Sequence, residues 1–320
     1  SRSDWSSDVC SSDLDPACGS GHILAYAFDL LAKIYEEQGY SRRDIPQLIL
    51  QNNIYGLEID PRAAAMASFA LTMKACELDS RFLGRNVSPN ITVLNRIEFT
   101  EEEREAIAHI AKEQESLDAP FLLSDTKLMD VLEHLDEAGS LFAPTEANLN
   151  SIREALDRMG GQDLLHHSES TESKLKAALE ELEPLTRRYH AVVANPPYLA
   201  NMDAWLSDWV KKNYPDEKSD LCTCFIARGL MFADDGGFIA VITSDTCMYI
   251  SSFEKMRKAI LDGSTIISFI DTRGTNAHPD VFDANAGWIL QKGNQPNYEG
   301  AYFKLNQPIR DKQTALLEAV

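Results

Sequence analysis

Short apolar runs rich in β-branched residues alternate with amphipathic helical stretches over residues 15–97 and again over 189–292. That alternation constrains the chain most, because it is the mark of a parallel α/β sheet. Residues 15–31 read as a tight glycine turn running into a helix, with Ile23, Leu24, Ala27, Leu30, Leu31 and Ile34 at helical spacing and Gly39 ending it. A short helix is expected over 44–52 and a strand over 53–59. Asp60-Pro61 then opens a helix to about Leu78, since proline suits the first helical position. Residues 90–94 form a further short strand. The second half carries strands at 190–194, 237–243, 265–270 and 287–291, with helices at 221–232 and 253–261. No internal repeat is visible.

Between the halves the character changes. Residues 98–188 are dominated by Glu, Leu, Ala and Lys, and hold 22 acidic against nine basic residues, a local charge of −13. This stretch is expected to be a helical insertion with a solvated acidic face. It supplies most of the net charge of −20 and the pI near 4.7. Such a surface grips DNA phosphates poorly, so a basic nucleic-acid grip is expected to lie elsewhere. No apolar run reaches the roughly 18 residues that span a bilayer. No charged segment with an apolar stretch behind it marks a signal peptide, which points to the cytoplasm. The six cysteines are irregularly spaced, and Cys222-Thr223-Cys224 is not a C-x-x-C pair. They read as free thiols, with no metal site.

Residues 1–14, SRSDWSSDVCSSDL, are Ser/Asp-rich and lack periodicity. Asp8 to Leu14 can be encoded by nucleotides resembling a sequencing-library adapter. The segment is therefore expected to be a non-native tail, with the native strand before Asp15 replaced. Residues 293–320 read as the start of a C-terminal region cut short inside a helix.

Three motifs carry chemistry. In Asp15-Pro16-Ala17-Cys18-Gly19-Ser20-Gly21 the glycines allow a sharp turn and close approach of a ligand at a strand's carboxyl end, where open α/β sheets bind ligands. No Gly-Lys-Ser/Thr follows, which argues against a phosphate loop; an ordinary αβ turn is the plain alternative. Glu58, ending the next strand, can accept both hydroxyls of a ribose, although it lies about 37 residues from the turn against the roughly 20 of a dinucleotide fold. A surface carboxylate at a helix N-terminus is the other reading. Asn195-Pro196-Pro197-Tyr198 follows the apolar strand 190–194. Its prolines stiffen the backbone, so the Asn195 side chain and a backbone carbonyl can accept both hydrogens of an exocyclic amino group. Tyr198 can stack on a planar base. A proline-rich turn is the alternative.

These three motifs in this order resemble the amino-methyltransferases acting on adenine in DNA. Asp15–Leu31 with His22, Gly139-Ser140-Leu141, and Tyr214-Pro215 followed by Lys218-Ser219-Asp220-Leu221 are similar to the BREX phage-defence, PglX-like methyltransferases. The resemblance implies a Rossmann-like class I sheet with a helical insertion, and transfer of a methyl group from S-adenosylmethionine to adenine N6. It implies Asp15, Ala17, Gly19, Ser20 and Gly21 around the cofactor's methionine moiety, Glu58 on its ribose, and Ile59 and Phe225 against its adenine. Asn195, Pro196, Pro197 and Tyr198 would form the catalytic loop, with Phe282 facing Tyr198 across the target base. The position of the family's third acidic motif, which would hold the cofactor amino group, stays open between Asn95 and Asp136. Double-stranded DNA, held mainly by a C-terminal recognition region, and defence-complex proteins are the implied partners. Glutamine-N5 methylation of protein, guanine-N2 methylation of RNA, and a non-catalytic cofactor-binding role remain as alternatives.

Overall fold

The computed structural model describes residues 11–112, 126–159, 169–198, 202–272 and 285–305. Eight strands form one sheet: β1 (Asp13–Asp15), β2 (Ile54–Glu58), β3 (Asn90–Val93), β4 (Tyr189–Ala194), β5 (Ala233–Ser244), β6 (Ser264–Asp271), β7 (Asn285–Lys292) and β8 (Ala301–Lys304). Their spatial order is β3-β2-β1-β4-β5-β7-β6-β8. The pairs from β3 through β5 are parallel, as the alternation predicts. β7 departs from that expectation, running antiparallel to both β5 and β6. The physical reason lies in β7's apolar pattern, which marks a strand but not its direction. The sheet is therefore mixed.

The helices are α1 (His22–Glu37), α2 (Ile45–Leu48), α3 (Pro61–Leu78), α4 (Glu101–Lys112), α5 (Thr126–Leu132), α6 (Leu135–Ala138), α7 (Glu146–Met159), α8 (Glu169–Thr186), α9 (Ala204–Asn213), α10 (Leu221–Phe232), α11 (Thr246–Tyr249) and α12 (Glu254–Gly263). The expected helix at 44–52 is α2 continued by a π-turn over Ile49–Asn53. The Asp60 side chain caps α3, accepting from Arg62 N–H at 2.8 Å, with Pro61 at its first position.

One face of the sheet is covered by α1 and α3: Leu24, Phe28, Leu31, Ala67 and Leu71 pack with Ile54. On the other face Leu14, Leu57, Val192 and Ile239 meet Ile152, Ala155, Leu175, Ala178 and Leu182 from α7 and α8, inside the acidic stretch. The apolar stripe of those helices is thus core, and only their other face is solvated. The stretch is still an insertion in sequence, but it covers a face that a buried parallel sheet must have covered.

Of the stretch expected to be a non-native tail, residues 11–14 lie within the described structure and occupy the strand position before Asp15. Asp13 and Leu14 lie in β1 between β2 and β4, and Leu14 is buried. Asn53 Nδ2 donates to Ser11 O at 2.7 Å, and His190 N–H donates to Ser12 O at 2.9 Å. Strand pairing uses backbone groups, so composition could not exclude it. Composition shows in Asp13, whose carboxyl is pushed up to about 6 by burial.

Candidate functional site

Because β1, β2 and β4 are parallel, Asp15, Glu58 and Ala194 end at the same sheet edge. The chain leaves β1 through the glycine turn. Gly19 (φ 53°) and Gly21 (φ 82°) both occupy the left-handed region, which L side chains enter at a cost. A Cβ on Gly21 would stand 2.9 Å from Ala67 Cα and Cβ, so its absence lets α1 approach α3. Cys18 N–H donates to Leu57 O at 3.0 Å, tying the turn to β2.

Glu58 closes the turn. Its Oε2 accepts from Gly19 N–H at 2.7 Å, and its Oε1 accepts from Ile59 and Asp60 N–H at 2.9 and 3.0 Å. A carboxylate offers about four lone-pair sites, so room remains for a hydroxyl donor. Asp15 lies behind the turn, buried, its Oδ1 accepting from Ala17 N–H at 3.1 Å. Burial pushes its carboxyl up to about 7, with the Glu58 charge adding to the shift.

A cavity of about 510 Å³ opens against this edge. It brings together, from distant positions, Ala17, Glu58, Ile59, Asp136, Asn195, Pro197 and Phe225 among the residues predicted from sequence. Asp15, Gly19, Ser20, Gly21, Pro196 and Tyr198 are not in its lining. Phe282 lies outside the described residues. Of the two candidates for the third acidic position, Asp136 lines the cavity. Asn95 does not: its N–H and Nδ2 donate to Glu181 at 2.8 Å each.

Sequence reading missed Glu137 and Asp203, and quoted Gly139-Ser140-Leu141 only as part of the resemblance without placing it in the cleft wall. Asp203 caps α9, accepting from Leu206 N–H at 2.7 Å. An Asp ahead of a Trp/Leu/Val-periodic run could have signalled that cap. Glu137 faces Asp203, and its carboxyl is raised by burial and by that hydrogen-bonded neighbour. The wall comes from the insertion and had no sequence signal beyond the resemblance. Ser140 Oγ donates to Pro16 O at 2.5 Å, and Tyr214 OH to Leu141 O at 2.6 Å.

The lining therefore holds four carboxyl groups, Glu58, Asp136, Glu137 and Asp203, and no Lys or Arg. Apolar Ile59, Leu94, Leu141, Leu206, Leu221 and Phe225 make up much of the rest. This is the inverse of a phosphate site, and its size is that of a small-molecule pocket. At the edge of the cavity, Asn195 is exposed at the end of β4. Tyr198 OH stands 3.4 Å from Asn195 Oδ1 and donates to Ile242 O at 3.2 Å. Burial pushes its phenol up to about 12. Among the described residues, no group of His, Cys, Asp and Glu could hold a metal ion, and no helix is long and apolar enough to cross a membrane.

The sheet order and the glycine turn at its carboxyl edge define a Rossmann-like sheet, here with a helical insertion. The chain belongs to the Eco57I restriction-modification methylase family, whose model matches residues 52–278. It is 35% identical over 314 residues to the Adenine-specific methyltransferase BrxX of Escherichia coli O9:H4 (strain HS), covering 91% of this chain and 26% of that protein. It is 31% identical over 325 residues to the Adenine-specific methyltransferase PglX of Lacticaseibacillus casei (strain Zhang), covering 96% and 26%. The chain thus spans about a quarter of the length of the curated relatives it matches. The fold is shared with two DNA-bound Type ISP restriction-modification enzymes, each at 14% identity: LlaGI (TM-score 0.55, 98% of this chain and 23% of that one) and LlaBIII (TM-score 0.54, 99% and 19%).

Proposed function

We propose that this chain is the methyl-transfer portion of an S-adenosylmethionine-dependent DNA adenine-N6 methyltransferase, working in the cytoplasm in phage defence. One observation carries the reading: Asn195, Glu58 and the glycine-turn residue Ala17 line a single cavity rich in carboxylates and free of cationic side chains. S-adenosylmethionine carries a sulfonium and an ammonium group, so such a lining suits it and repels nucleotide phosphates. When bound, it supplies an electrophilic methyl group.

The residues divide the work. Glu58, already fixed by three backbone donors, keeps acceptor capacity for ribose hydroxyls. Ile59 and Phe225 enclose a flat apolar ring, and Asp136 offers a carboxylate to its amino group. Asp15, Ala17 and Gly19–Gly21 shape the end for the methionine moiety. Asn195 Oδ1 and the Pro196 carbonyl accept the two hydrogens of adenine N6, which aims its lone pair at the methyl carbon. Tyr198 stacks on the extruded base and offsets part of the extrusion cost. Catalysis by such a loop is positioning and electrostatics, with no covalent intermediate.

The names of the relatives favour adenine over guanine-N2 or glutamine-N5. Double-stranded DNA is the substrate, gripped by regions that the longer relatives carry beyond the matched quarter, and other defence proteins are further partners. To test the reading, a full-length chain is incubated with methyl-labelled cofactor and DNA, RNA or protein. Label on adenine N6 of DNA is expected. Label on guanine or glutamine would replace the substrate class, and cofactor binding without any labelled polymer would replace catalysis with a sensing role.

A further inference from the structure

Arg228 is buried on α10, 3% exposed, yet its hydrogen-bond partners are carbonyl oxygens rather than a carboxylate. Nε donates to Ser140 O at 2.8 Å, and Nη2 donates to Phe142 O at 2.9 Å and Leu185 O at 2.7 Å. The guanidinium lies 3.6 Å from the Phe232 ring centroid. Burying a charge without an ionic partner is expensive, and an apolar residue often fills such a space at less cost. What the arginine gains is reach: its fork joins α10 to two separate parts of the insertion.

The first part includes Gly139, Ser140 and Leu141, which line the cleft. Gly139 (φ 52°) packs so closely that a Cβ there would stand 3.0 Å from Ile59 Cγ2. Ser140 Oγ donates to Pro16 O at 2.5 Å, inside the glycine turn. A continuous path therefore runs from the Arg228 guanidinium through Ser140 to Pro16, and from there to the turn fastened by Glu58.

We propose that Arg228 is a positioning residue for the cofactor cleft, acting through Ser140 to hold the glycine turn in its ligand-ready shape, so that docking of the insertion and affinity for the cofactor rise and fall together. The part of the proposal that concerns the cofactor rests on the functional reading above; the part that concerns the turn does not.

Amide hydrogen exchange on the 320-residue chain tests it with Arg228→Met, Arg228→Lys and Ser140→Ala. Arg153→Met, which removes an exposed pair with Glu183 on the same insertion, is the control. Exchange at residues 17–21 should quicken at least tenfold in Arg228→Met and Ser140→Ala, stay unchanged in Arg153→Met, and be partly restored in Arg228→Lys. Ser140→Ala should leave 185–189 protected, because it spares the Leu185 bond. Unchanged protection at 17–21 in Ser140→Ala would overturn the proposal, and that variant decides alone if Arg228→Met does not fold. Titration with S-adenosylmethionine should show affinity about tenfold weaker in Ser140→Ala. A wild-type chain that fails to bind it would sink the functional reading, while the exchange data would still decide the coupling.

Discussion

Glu58 Oε2 accepts a hydrogen bond from Gly19 N–H at 2.7 Å, joining two motifs that lie 39 residues apart in the sequence. The carboxylate expected to receive a ribose is thus also the brace of the turn expected to receive the other end of the same ligand. Affinity and local order at this edge cannot be separated by changing Glu58 alone, so the sharper predictions concern its neighbours.

The two turn glycines should differ. Gly19→Ala meets open space and has only left-handed strain to bear, roughly 1–2 kcal/mol. Gly21→Ala has the same strain plus a Cβ at 2.9 Å from Ala67, and overpacking adds about 1–3 kcal/mol. Denaturant melts should therefore rank Gly21→Ala well below Gly19→Ala. Equal losses would mean that α1 and α3 separate at little cost.

Asp15 should give stability a falling limb. Its folded carboxyl titrates near 7, raised from 3.8 mainly by burial. Between those values the folded state holds a proton that the unfolded chain has released, so stability falls as pH rises from about 4 to 7 and levels off above. Asp13, raised to about 6, adds to the same limb over a narrower window. Asp15→Asn keeps an acceptor for Ala17 N–H and should flatten that limb in melts taken across pH 4–8. A slope as steep as wild type would show that Asp15 is ionised in the fold.

Much of this frame was legible in the sequence, for identifiable reasons. Asp60-Pro61 marks the start of α3 because cap and φ preference coincide there. α10 matches its expected span because an Asp220 cap precedes an apolar run. The apolar period found β7 but could not give its direction, and α9 was passed over although Trp205, Leu206, Trp209 and Val210 recur at helical spacing behind the Asp203 cap. Asp136 and Glu137 reach the cleft from the insertion, about 80 residues beyond Glu58, and no local pattern records that approach. Asn95 looked equally suitable until its bonds to Glu181 placed it elsewhere.

Tyr198 should separate stacking from hydrogen bonding. Its hydroxyl bonds are exposed, so Tyr198→Phe should cost under about 1 kcal/mol in stability and keep target-base binding. Tyr198→Ala loses the ring face, and full-length enzyme should bind target DNA less tightly by about 1–3 kcal/mol. Equal binding by both variants in a DNA titration would remove Tyr198 from the base site.

The most direct measurement of the central claim is methyl transfer by Asn195→Ala in a full-length chain, read as N6-methyladenine formed per enzyme, beside a cofactor titration of the same variant. Asn195 is exposed at the mouth of the cleft and braces no part of the glycine turn. The account predicts a loss of about a hundredfold or more in transfer, the scale of losing a positioned polar contact to the reacting group, with cofactor affinity within about twofold of wild type. Transfer within tenfold of wild type would contradict it.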